Sequence, residues 1–120
     1  MTFPAPSRLR LDSDALITNW KTMARLSGKA DTGAAVKADA YGLGAREVVS
    51  RLWAAGCSDF FVAHWSEAEA LADLIPAESI AVLNGICEAD IEHARALGAV
   101  PVLNTPQQIS LWRAAGGAKC

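Results

Sequence analysis

Two periods of hydrophobic positions alternate along the chain. Behind Asp12 and Ser13, either of which can cap a helix, Leu16, Trp20 and Met23 recur at helical spacing with Ile17 and Ala24 beside them, and Gly28 is the stop signal. Val48, Leu52 and Ala55, with Val49 adjoining, repeat that spacing from Gly44 until Gly56. Between these helices Gly33 to Val36 is a short apolar run. Asp59 to Ala63, Ser79 to Leu83 and Val100 to Leu103 are longer ones, predicting strands covered on both faces, with Pro101 blurring the boundary of the last. Ser66 with Glu69 predicts a capping box for a helix through Leu71 and Leu74 that ends before Pro76. A helix over Ile91 to Leu97 stops at Gly98. Thr105-Pro106-Gln107-Gln108 then starts another, whose inner face is Ile109, Trp112 and Ala115 and whose end is Gly116-Gly117. Arg8 to Leu11 reads as a short strand behind a Pro-rich leader.

Strands alternating with helices predict βαβ units, a parallel sheet and right-handed crossovers, in four strand–helix units after the first strand. This pattern fits half of a barrel and a small open doubly wound sheet equally. The 120 residues, 52% hydrophobic, suffice for one globular domain. They are only about half of the roughly 250 residues of a complete (β/α)8 barrel, so the expectation is a fragment. A formal charge of −2 with scattered Lys and Arg predicts no nucleic-acid partner. No apolar run approaches the ~20 residues of a membrane span. The opening MTFPAPSRLRLD lacks the apolar core of a secretory signal, so a cytoplasmic protein is expected. Cys57, Cys87 and Cys120 show no Cys-x-x-Cys spacing and read as reduced thiols with no metal.

Candidate chemistry concentrates in Thr32 to Arg46, TGAAVKADAYGLGAR. A small apolar strand runs into Lys37, and Gly42-Leu43-Gly44 leads out into a helix. A lysine at the carboxyl end of a buried strand either finds partners or loses its proton, and an unprotonated lysine is a nucleophile. Outside such a context the same lysine would snorkel to water. Tyr41 lies one short turn further on, with a phenol able to donate to a phosphate.

AVKADAYGLGA closely resembles the pyridoxal-phosphate (PLP) attachment signature of bacterial alanine racemases, with Asp39 where Asn is commoner and Leu43 where His is commoner. The resemblance extends upstream to Leu11-Asp12-Ser13-Asp14-Ala15-Leu16 and Asn19. Downstream it continues through Phe60 to Ala63, Glu67, Glu69 to Leu71, and Val82 to Gly85. It implies an α/β fold, the N-terminal half of a PLP-binding (β/α)8 TIM-type barrel, with residues 1–120 lacking the second half of the barrel and a C-terminal β domain. It further implies that Lys37 binds pyridoxal 5'-phosphate as a Schiff base and is the catalytic base on one face of alanine, and that Tyr41 touches the cofactor phosphate. Ala35 and Leu83 match positions that can face the cofactor in relatives, but both are read as core. The implied whole protein is a homodimer that interconverts L- and D-alanine for peptidoglycan, with the second base supplied by a partner subunit. A racemase for serine or another small amino acid, a non-racemising PLP-binding barrel, and an inactive truncated product remain the alternatives.

Gly42-x-Gly44 follows a strand and opens a helix, as a dinucleotide-binding turn does. Glu47 stands where that motif needs its third glycine, and Ala63-His64 stand where an acidic residue should close the next strand. The glycines are therefore assigned to the turn itself. His64 ends a strand and reads as structural, and His93, between Glu92 and Arg95, reads as solvent-facing.

Overall fold

A computed structural model describes residues 1–120. Asp12 accepts from the Ala15 N–H at 3.0 Å and opens helix α1, Ser13–Leu26. Strand β1, Ala34–Ala35, leads into a helical turn α2, Lys37–Tyr41, then helix α3, Ala45–Ala54, and strand β2, Phe60–Val62. Helix α4, Trp65–Glu69, strand β3, Ile80–Val82, helix α5, Ile91–Leu97, strand β4, Val100–Pro101, and helix α6, Pro106–Ala114, complete the order. Short 3-10 turns at Ala77–Ser79 and Glu88–Asp90 precede β3 and α5.

The strands form one parallel sheet in the order β1-β2-β3-β4. Ala34 pairs with Phe60 and Phe60 with Ile80; Val62 pairs with Val82 and Val82 with Pro101. Right-handed crossovers that always step in the same direction place every helix on the same face of the sheet. A doubly wound sheet instead reverses its strand order and carries helices on both faces. The unreversed order is that of an arc of a barrel.

On the helix-covered face Phe60, Val62, Ile80 and Val82 are fully buried against Val48, Val49, Leu52, Ala68, Leu71 and Ala94. Each large aliphatic or aromatic side chain buried this way stabilises the fold by about 1.5–3 kcal/mol. The opposite face differs from the expectation of strands covered on both sides. Phe61, Ala81 and Val100 are only half-buried there and Ala35 is exposed, because no second layer lies over them.

Three other expectations change. Arg8 to Leu11 forms no strand, since it meets no partner to complete a ladder. The helix after β2 begins at Trp65, a residue before Ser66, and ends at Glu69, so Leu71 is buried from a turn and Leu74 is exposed. Met23 and Ile109 point outward, and Trp112 alone is buried from α6, with Leu111 packed beside the core. The Thr105 cap of α6 forms as expected, its hydroxyl accepting from the Gln108 N–H at 3.1 Å.

Candidate functional site

The chain leaves the sheet at Lys37. Val36 still donates to the Phe61 carbonyl at 2.8 Å, as Ala34 does to Asp59 at 2.9 Å. Ala38, Asp39, Ala40 and Tyr41 then all take left-handed backbone angles, with φ between 51° and 57°. A left-handed turn of L-residues costs roughly 1–2 kcal/mol per residue. Its composition limits that cost: two alanines present the smallest side chains with a Cβ, and Asp39 is of the type that tolerates this region. Gly42 and Gly44, at φ 87° and 97°, continue the course with no such penalty.

Hydrogen bonds close the turn. The Ala40 N–H donates to the Val36 carbonyl at 2.9 Å, Gly42 to Ala38 at 3.0 Å and Gly44 to Asp39 at 2.9 Å. The Asp39 carboxylate accepts from the Ala45 N–H at 2.7 Å, so a negative charge satisfies an otherwise free amide at the start of α3. This gives Asp39 a use of its own at the position where Asn is commoner.

Glu67, in the first turn of α4, ties this turn to the next strand. Its Oε1 accepts from the Ala38 N–H at 2.6 Å, and its Oε2 from Ala63 at 2.7 Å and His64 at 2.9 Å. Partial burial pushes its carboxyl pKa up, but the N–H groups of His64, Ala38 and Ala63 outweigh that and hold it below the ordinary carboxylate range. Arg46 makes a second tie from α3, donating to the Ala70 carbonyl at 2.6 Å and to both carboxylate oxygens of Asp73 at 2.7 and 2.9 Å.

Val36, at φ −125° and ψ 19°, already departs from the extended strand, so Lys37 opens the turn where the ladder ends. Lys37 is half-buried at the carboxyl end of β1. The ion pairs of the molecule are Arg46–Asp73, Arg51–Glu47 and His93–Glu69, so the Lys37 ammonium is engaged in none. Tyr41 is 65% exposed and lines an apolar cavity of about 420 Å³ with Leu16, Trp20, Ala35 and Leu52, a cavity that Lys37 does not border. The two candidate residues thus bracket the same turn without sharing a pocket.

His64 has its Nδ1 3.3 Å from the Asn84 amide nitrogen. The Asn104 amide donates to the Leu83 and Val102 carbonyls at 2.8 and 3.2 Å, and Gln108 donates to the Asn84 carbonyl at 3.3 Å. These side chains finish the ladders where β2, β3 and β4 stop. His93 is exposed, 3.8 Å from Glu69. The three cysteines are free, and burial pushes the Cys57 thiol pKa up, toward an unreactive group. No cluster of His, Cys, Asp and Glu is arranged to hold a metal, and no helix is long and apolar enough to cross a membrane.

Glu67, and Asn84 and Asn104 at the strand ends, were not legible as residues of the site. A capping-box search favours Ser or Thr at the N-cap, and here the cap is His64. Glutamate three residues after a strand-end His was the available signal.

Residues 11–119 match the family model described as alanine racemase, N-terminal domain. The chain is 42% identical over 106 residues to the alanine racemase of Methylobacterium nodulans, covering 88% of this chain and 29% of that protein. It is 44% identical over 110 residues to the biosynthetic alanine racemase of Agrobacterium fabrum, covering 92% and 28%. Among solved structures, the alanine racemase of Bartonella henselae with covalently bound pyridoxal phosphate superposes with a TM-score of 0.80 at 38% identity, over 86% of this chain and 29% of that one. The chain therefore spans less than a third of the length of these relatives, and it belongs to the alanine racemase family through that family's N-terminal domain.

Proposed function

We propose that residues 1–120 are the N-terminal part of the barrel domain of an alanine racemase that interconverts L- and D-alanine, with Lys37 as the residue that carries pyridoxal 5'-phosphate. The supporting observation is the placement of Lys37: a half-buried residue at the carboxyl end of a parallel strand, opening a turn that Glu67 and Asp39 hold in place. TIM-type barrels keep their chemistry at that end of the strands. The residues present fit the aldehyde end of the cofactor, since Lys37 supplies a primary amine at the strand end and no carboxylate pairs with it. When bound, the cofactor withdraws electrons from the α-carbon of the amino acid. Lys37 holds the cofactor and moves the α-proton at its Nζ on one face. Tyr41, exposed beside the same turn, would supply a hydroxyl to the cofactor phosphate. The second base and the remaining cofactor contacts are assigned to other parts of the whole protein, a homodimer that supplies D-alanine for peptidoglycan.

The test is intact mass after incubation with PLP and borohydride reduction, comparing the chain with Lys37→Ala. One adduct per chain that disappears in the variant is the expected result. Equal labelling of both, through exposed lysines such as Lys21 and Lys29, overturns the assignment of Lys37 in this chain.

A further inference from the structure

The β1–β2 ladder stops one rung early. Ala34 donates to Asp59 and Val36 to Phe61, so the next rung would join Ala38 to Ala63. That rung cannot form, because the left-handed turn carries Ala38 out of the sheet, and the Val36 carbonyl is taken by the Ala40 N–H at 2.9 Å. Both orphaned amides go instead to Glu67: Ala38 to Oε1 and Ala63 to Oε2, with His64 as a third donor. The carboxylate bridges the gap in the ladder at the point where the lysine strand departs.

We infer that Glu67 is a positioning residue for Lys37, standing in for the missing rung and fixing where the lysine turn sits against β2. The inference rests on Lys37 being the attachment lysine. Glu67 is no partner for the lysine charge, since no ion pair joins them. Its two oxygens are occupied by backbone donors on two segments, one of them the amide next in sequence to Lys37. Only a side chain with two acceptor atoms and no hydrogens can take all three donors. A glutamine of the same size offers one acceptor and turns an NH2 group toward an N–H. Charge-assisted bonds of this kind are also the stronger ones. Handedness is the property at stake: four left-handed residues return to ordinary conformations unless their ends are held.

Glu67→Gln in the 120-residue chain tests this through amide hydrogen exchange. Exchange at Ala38 is expected to accelerate about tenfold or more, the ratio for one lost charge-assisted hydrogen bond, while the Phe60, Ile80 and Val82 amides keep wild-type rates. Glu69→Gln, which removes an exposed charge from the same helix, should leave Ala38 unchanged. A uniform acceleration across the sheet, or none at Ala38, overturns the proposal. If Glu67→Gln does not fold, Glu67→Asp, which keeps the charge but retracts it by one methylene, must show the same local acceleration. PLP labelling at Lys37 should fall in Glu67→Gln while acetylation of Lys37 by a small acylating reagent persists. Failure of the wild-type chain to label would overturn cofactor attachment by this chain on its own, and exchange at Ala38 would still judge the clamp.

Discussion

Glu67 couples the lysine turn to pH in a definite direction. Its folded-state pKa lies below the ordinary carboxylate value of about 4.3, so its contribution to stability is complete above that value and is lost as pH falls through the folded pKa. Asp73, held low by its hydrogen bonds with Arg46, acts in the same direction at an exposed site. Urea midpoints measured from pH 7 down to pH 3 should therefore decline on the acid side. Glu67→Gln should flatten that decline, and a variant curve parallel to the wild type would show that Glu67 is not linked to folding. Lys37 stands out in the sequence because its neighbours are distinctive in type and order. The role of Glu67 does not, because its three donors come from Ala38, Ala63 and His64, up to 29 positions away, and become neighbours only when β1 lies beside β2.

Local pattern carried most elements to within a residue or two. The α5 limits of Ile91 to Leu97, the Asp12 and Thr105 caps and the three longer apolar runs follow from spacing and capping chemistry alone. Handedness at Ala38 to Tyr41 did not follow, since nothing in Ala-Asp-Ala-Tyr prefers a left-handed turn to a right-handed one. It is imposed by the exit from the sheet and by the ties at either end. A glycine there should act opposite to its usual effect in a helix. Ala38→Gly removes about 1–2 kcal/mol of left-handed strain against about 0.5–1 kcal/mol of added chain entropy, so its net effect should lie between neutral and about 1.5 kcal/mol of stabilisation by urea unfolding. A loss of 1 kcal/mol or more would mean that Ala38 is not left-handed in solution. The strands show a second limit of pattern: continuous apolar runs indicate two faces that prefer cover, and the chain covers only the face of Phe60, Val62, Ile80 and Val82.

The whole molecule is open and flat, with extents of 52 × 47 × 23 Å. Its Cα radius of gyration is 16.5 Å, against about 13.6 Å for a compact chain of this length, an excess to which the exposed residues 1–10 contribute. Its accessible surface is 7889 Å², where a compact monomer of 12.6 kDa presents roughly 6,200 Å². The difference of about 1,700 Å² is roughly twice what one partner contributes to a standard protein interface. The exposed residues 1–10 carry part of it, and the sheet adds two unpaired strand edges, on β1 and β4, and the half-covered row of Ala35, Phe61, Ala81 and Val100. A polypeptide of these 120 residues should therefore self-associate, with a weight-average mass that rises with concentration in sedimentation equilibrium. A constant monomer mass of 12.6 kDa across that range would contradict this. No useful alanine racemisation is expected from it, and a turnover that vanishes in Lys37→Ala would reverse that expectation.

By itself the sequence determined the alternation of strands and helices, the parallel class of the sheet and the lysine at a strand end, because each rests on contacts between residues near in the chain or on a motif within a dozen positions. The tertiary structure decided the rest. It chose the arc of a barrel over a doubly wound sheet, since strand order depends on which edge each crossover finds. It made α2 left-handed, assigned Glu67 to the gap in the ladder and left one sheet face uncovered. Those outcomes depend on pairings between segments 20 or more residues apart, such as Ala34 with Phe60 and Phe60 with Ile80, whose geometry no local pattern encodes.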